Sequence, residues 1–192
     1  MLPLVDVRPA VLIYSKNNIT RITHLEYCEQ YLEQLSLAEN RLTEMCGVSH
    51  LRSLTVLNLA NNSIACIEGL KNLPNLTWLN LSANNIKVME NMGAVVQLQH
   101  LDLSHNCITS VGLLTHLTRL KTLLLHDNEL TSLKLFPRCL PHGLVILSLA
   151  QNHLTDLSEF AYLSCLPRLG QLSLMDNPCV HPTHGAAYPL RG

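Results

Sequence analysis

Aromatic residues make up only 4% of the 192-residue chain, with a single tryptophan, Trp78, and two phenylalanines. A core built from mixed large side chains is therefore not on offer. Net charge is nearly absent as well, at -1 from 13 basic and 14 acidic residues. No long-range field draws the protein toward nucleic acid or an anionic membrane, so neither is expected as a partner. No window approaches the run of about 18 apolar residues that a membrane helix needs. The opening stretch from Met1 to Arg8 lacks the charged start, apolar centre and cleavage site of a secretory signal, so a soluble intracellular protein is expected. The seven cysteines are scattered singly without a C-x-x-C pair, and their odd number reads as reduced thiols. Sequons at Asn18, Asn61, Asn75 and Asn80 are then by-products of an Asn-rich repeat.

What the chain does have is leucine, used again and again at equivalent places within a 47% hydrophobic composition. The pattern L-x-x-L-x-L-x-x-N-x-L recurs as Leu32, Leu35, Leu37, Asn40, Leu42, and then from Leu54, Leu76, Leu98, Leu120 and Leu144. A degenerate first copy holds Leu12, Tyr14, Asn17 and Ile19, and a last copy holds Leu169, Leu172, Leu174, Asn177 and Cys179. The copies from Leu32 to Leu120 are spaced 22 residues apart. Later spacings of 24 and 25 place small insertions around Pro137 to Gly143 and near Tyr162 to Pro167.

Each position has a mechanical reason. Alternation around L-x-L marks a short strand that pairs with its counterpart in the next copy, turning leucines inward. The Asn amide meets backbone groups that would otherwise be buried unpaired where the chain leaves the strand. Apolar residues at three-residue spacing then follow, as at Ile67, Leu70 and Leu73, and suit a short helix or 3-10 turn. The predicted fold class is α/β: a leucine-rich-repeat solenoid, a curved parallel sheet of about eight short strands with short helices or 3-10 turns on the convex side. Residues 1–8 form a lead-in, 9–180 the eight-unit repeat domain, and 181–192 a tail expected to be disordered. The predicted structural ladder is Asn17, Asn40, Asn62, Asn84, Asn106, Asn128, Asn152 and Asn177.

Strand residues between the leucines face outward onto the concave side, where repeat proteins bind partners. One column runs Val11, Gln34, Val56, Trp78, His100, Thr122, Ile146, Gln171; a second runs Ile13, Ser36, Asn58, Asn80, Asp102, Leu124, Ser148, Ser173. A third, further out, includes Ser82, Ser104 and His126. Exposed tryptophan is a favoured interface anchor, so the predicted protein-binding patch is Val56, Asn58, Trp78, Asn80, His100, Asp102, Leu124 and His126. Asp102, Ser104 and His126 superficially offer a nucleophile, base and orienting carboxylate on strands about 5 Å apart. An open sheet face supplies no oxyanion hole or enclosed pocket, so no catalytic residue and no enzyme activity is expected. The ten histidines show no H-E-x-x-H or paired Cys/His spacing, and His181 and His184 sit in the Pro-rich tail. Neither a metal nor a cofactor is expected.

The 22-residue unit with I-x-x-[IVM]-x-x-L after its Asn resembles the intracellular repeat class of the SDS-twenty-two phosphatase regulators. More closely, Leu57-Asn-Leu-Ala-Asn-Asn-Ser-Ile-Ala-Cys-Ile-Glu-Gly-Leu70, Trp78-Leu-Asn-Leu81, Leu98-Gln-His-Leu-Asp-Leu-Ser104 and Lys121-Thr-Leu-Leu-Leu-His126 resemble the N-terminal repeats of the centrosomal protein of 97 kDa family. So do Leu147-Ser-Leu-Ala150 and Met175-Asp-Asn-Pro-Cys-Val180. That resemblance implies a centriolar scaffold in the cytoplasm and cytoskeleton that restrains cilium assembly. It also implies a coiled-coil capping partner of about 110 kDa, and calmodulin binding only where a later IQ segment exists, which this chain lacks. A regulatory subunit of a phosphatase or ribonucleoprotein complex is the alternative on the same fold. The last strand is expected to be an open edge with leucines partly exposed, either in a shortened product or under a partner.

Overall fold

The computed structural model describes residues 8–180, so nearly all of the expected lead-in and the whole tail lie outside the described residues. Eight strands of three residues form one sheet: β1 (Val11–Ile13), β2 (Gln34–Ser36), β3 (Val56–Asn58), β4 (Trp78–Asn80), β5 (His100–Asp102), β6 (Thr122–Leu124), β7 (Ile146–Ser148) and β8 (Gln171–Ser173). Each pairs in parallel with the next, in chain order from β1 to β8. A parallel pair needs a crossover, and here every crossover is one coil of the solenoid. Register never slips: Leu12, Leu35, Leu57, Leu79, Leu101, Leu123, Leu147 and Leu172 align as partners across the sheet. A slip by one residue would turn every leucine to solvent, so burial fixes the register.

The core is a continuous leucine stack. From the second coil to the seventh, the inward strand leucines are buried, and Ile64, Ile67, Leu70, Leu73 and their counterparts close it from the convex side. That side carries 3-10 turns at Glu26–Cys28, Cys46–His50, Leu70–Asn72, Leu157–Cys165 and Pro178–Val180, and one short helix, α1 (Phe136–Cys139). Adjacent coils approach so closely that a Cβ on Gly47 would lie 2.1 Å from the Ile22 carbonyl oxygen, and one on Gly112 would lie 1.9 Å from that of Met89. No helix among the described residues is long and apolar enough to cross a membrane.

Where the chain leaves each strand, the residue before the repeat asparagine turns left-handed: Lys16, Glu39, Asn61, Ala83, His105, Asp127, Gln151 and Asp176 have φ between 52° and 62°. Such a conformation costs a non-glycine residue about 1–2 kcal/mol. The asparagine bonds offset it. Asn84 Nδ2 donates to the carbonyls of Leu59 in the preceding coil and of Leu81 and Ser82 in its own, while its Oδ1 accepts from Ile64 N–H at 2.9 Å. Asn40, Asn62, Asn106, Asn128, Asn152 and Asn177 repeat that arrangement. Asn17, with no earlier coil among the described residues, donates to Tyr14 and Ser15 of its own turn.

The two wider spacings become α1 and the long 3-10 segment Leu157–Cys165, which pack against each other. Their junction is tied by Glu159, a buried carboxylate that accepts from Leu133 N–H at 2.7 Å and Ser132 Oγ at 3.1 Å, with Lys134 Nζ at 3.4 Å. The Leu133 hydrogen bond lowers its pKa from the ordinary 4.5, burial works against it, and Ser132 and Lys134 add to the lowering. Glu159 therefore stabilises the fold fully above pH 4.5, and its contribution disappears as pH falls through the lower folded value. We expect Glu159→Gln to lose about 1–3 kcal/mol at neutral pH, the cost of weakening buried charge-assisted bonds. In urea titrations the gap between the two proteins should narrow toward pH 3; a gap that widens in acid would refute this role.

Candidate functional site

Parallel register turns the outward strand positions into columns on one concave face. Val56, Trp78, His100 and Thr122 are successive partners in one column, and Asn58, Asn80, Asp102 and Leu124 in the next. Val56, Asn58, Trp78, Asn80, His100, Asp102, Leu124 and His126 are all half-buried. The flat rings of Trp78 and His100 stack across β4 and β5, with centroids 5.3 Å apart and planes 5° from parallel. Burial lowers the His100 pKa below its ordinary 6.5, against the opposing pull of Asp102, so the imidazole is uncharged at neutral pH.

On the other side of Trp78 the face opens into a hollow of about 400 Å³. Its walls are Val11, Ile13, Val56 and Trp78, with Gln34, Ser36 and Asn58 as polar members and no charged side chain among the described residues. Ile13 is 71% exposed and Val11 47%. The sequence-based patch, centred on the middle strands, omits this β1 and β2 contribution. Ile13 was the available signal, an apolar β-branched residue at an outward position of the first copy.

Asn58, Asn80 and Asp102 also serve the backbone. Their Oδ1 atoms accept from the N–H two residues on, at Ala60, Ser82 and Ser104, over 2.8–3.2 Å. Ser104, placed outward by the sequence, is instead buried at 2% exposure because the chain has already begun its turn toward Asn106. Its hydroxyl donates to Asp102 Oδ1 at 2.6 Å. His126 lies edge-on to His105, with ring centroids 5.1 Å apart, and His105 Nδ1 meets Asp127 Oδ2 at 2.5 Å. The Ser104 proton thus points at a carboxylate, and the described hydrogen bonds include no Ser104–His126 pair. Away from this face, in the segments after β2 and β3, Glu44, Cys46 and Glu68 bring metal-ligand atoms within 4.8 Å of one another. Glu44 and Cys46 are exposed and Glu68 half-buried.

Known proteins match at the level of the coil. A family profile described as "Leucine-rich repeat" covers residues 77–189, and a second, "Leucine rich repeat", covers 30–86. The chain is 53% identical over 51 residues to human centrosomal protein of 97 kDa, which is 27% of this chain and 6% of that protein. The mouse and Xenopus laevis proteins of that name give the same figures, so the chain spans a small fraction of these relatives. Among solved structures, the internalin inlF of Listeria monocytogenes superposes with a TM-score of 0.77 at 26% identity, over 88% of this chain and 48% of that one. Internalin C2 of the same organism gives 0.75 at 26% identity, over 86% and 70%. Such domains are generally surfaces for binding other proteins. A repeat profile running through more than half of a chain whose coils stack in this way makes it a member of the leucine-rich repeat family.

Proposed function

We propose that residues 9–180 act as one non-catalytic repeat domain whose concave face binds a protein segment within a centrosomal or centriolar scaffold that restrains cilium assembly. The observation that carries the binding reading is the hollow that the described residues leave open beside Trp78, a tryptophan held half-buried on a strand face rather than within the leucine core. A rigid aromatic at the wall of an apolar hollow, ringed by polar amides, is the composition of an interface centre. The centrosomal setting rests on the identity shared with the centrosomal protein of 97 kDa in three vertebrates. It carries with it a place in the cytoplasm and cytoskeleton, and a coiled-coil capping protein as the partner. Calmodulin would bind only through an IQ region outside this sequence.

The test is capture of that coiled-coil partner by the tagged chain. Trp78→Ala should weaken it by about 2 kcal/mol or more, some thirtyfold. Leu124→Asp, which sets a charge on the same face, should weaken it comparably. Both variants should melt within a few degrees of the parent because neither truncates the inward leucines. Parent-like capture by both variants rules out the concave face. Recovery of a phosphatase catalytic subunit or a spliceosomal protein in place of the centriolar partner would reassign the complex.

A further inference from the structure

We infer that the concave face takes an extended segment of a partner protein in which one basic side chain sits between two apolar ones, with the basic group pairing with Asp102. This rests on the protein-binding reading above and adds the chemistry of the bound segment. Histidine aside, Asp102 is the one ionisable side chain in the two outward columns from β1 to β8. It is half-buried, and its Oδ1 is taken by the Ser104 N–H and hydroxyl. No cation stands within ion-pair distance of Asp102 among the described residues. A partner that covers this carboxylate with apolar or acidic groups strips its water without replacing it, which is costly; a basic group replaces it.

Apolar surface flanks the acid on both sides, Val56 and Trp78 on β3 and β4, Leu124 and Ile146 on β6 and β7. At about 4.8 Å per strand these flanks lie about 10–19 Å apart, which an extended chain at about 3.4 Å per residue crosses in roughly three to six residues. A helix would bring backbone carbonyls already bonded within itself. Asn58 and Asn80, whose Oδ1 atoms are occupied, keep amide Nδ2 donors with no acceptor among the described residues. The unpaired carbonyls of an extended backbone suit them. The stacked rings of Trp78 and His100 beside Asp102 favour arginine over lysine, because a planar guanidinium lies flat on aromatic faces while it donates to a carboxylate.

Panning a random peptide library on the whole chain, with Trp78→Ala as the counter-selection, tests the inference. The recovered peptides should carry arginine or lysine between apolar residues within a span of about six. For the strongest of them, replacing that basic residue with glutamate, or Asp102 with asparagine, should weaken binding about tenfold or more. Asp102→Asn keeps the backbone bond that Asn58 and Asn80 make at the equivalent positions, so its melt should match the parent. Trp78-dependent peptides without a basic preference, or equal binding to the parent and Asp102→Asn, would overturn the inference and leave the binding face standing. Failure to recover any Trp78-dependent peptide would remove both.

Discussion

Asn106→Ala is expected to lower the unfolding free energy by about 3–5 kcal/mol, more than most single substitutions of a polar residue achieve. The side chain is buried in the middle of the stack and joins two coils. Its Oδ1 accepts from Ile86 N–H at 2.9 Å, and its Nδ2 reaches the carbonyls of Leu81, Leu103 and Ser104 at 3.0–3.1 Å. Alanine would strand the Ile86 donor, at about 1–3 kcal/mol when water cannot enter, and would take one of two donors from the Leu81, Leu103 and Ser104 carbonyls, which keep Asn84, Asn128 and the Ala83 N–H, at about 0.5–1.5 kcal/mol for each bond lost. It would also remove the bonds that offset the left-handed turn at His105. Asn17→Ala provides the comparison. That side chain is exposed and bonds only to Tyr14 and Ser15, so its loss should cost under about 1 kcal/mol. Urea denaturation of the two variants decides the matter, and equal losses would mean that the amide ladder does not hold the coils together.

Much of this was readable from residue spacing, because a solenoid repeats one local solution and repetition is visible in a single sequence. The inward leucines, the strand positions and the columns on the concave face follow from a period of two inside a period of 22. Features without a shared residue type were not readable. The left-handed position is filled by Lys, Glu, Asn, Ala, His, Asp, Gln and Asp in turn, so no side chain marks it. Ser104 shares its column with Ala38, Ala60 and Ala150, and the prevalence of small residues there was the clue that the chain is already turning inward. Glu159 lies in the long 3-10 segment, just before the insertion, at a position that earlier copies fill with Gly47, Gly69, Asn91, Leu113 and Leu135, and only the packing of α1 against that segment shows why a carboxylate is buried there. The hollow was missed for a related reason: its β1 wall belongs to the copy that matches the repeat least.

Position within the stack should matter as much as residue type. Leu101 and Leu172 occupy the same inward column, yet Leu101 is 0% exposed between two neighbouring coils, whereas Leu172 on β8 is 40% exposed with a described neighbour on one side only. Leu101→Ala removes a side chain packed on all sides and leaves a cavity that rigid flanking coils cannot fill, at about 3–5 kcal/mol. Leu172→Ala removes surface that is already partly wet and leaves no closed void, so about 1 kcal/mol or less is expected. The kind of change should differ too, since stability in a solenoid is close to a sum of coil and nearest-neighbour terms. Leu101→Ala weakens two interfaces and should lower the cooperative urea midpoint of the whole array. Leu172→Ala weakens one and should chiefly speed amide exchange in β8 and the segment before it, leaving exchange from β3 to β6 as in the parent. Equal midpoints for the two variants, or exchange that accelerates uniformly along the chain after Leu172→Ala, would show that the coils melt as one block rather than from the end inward.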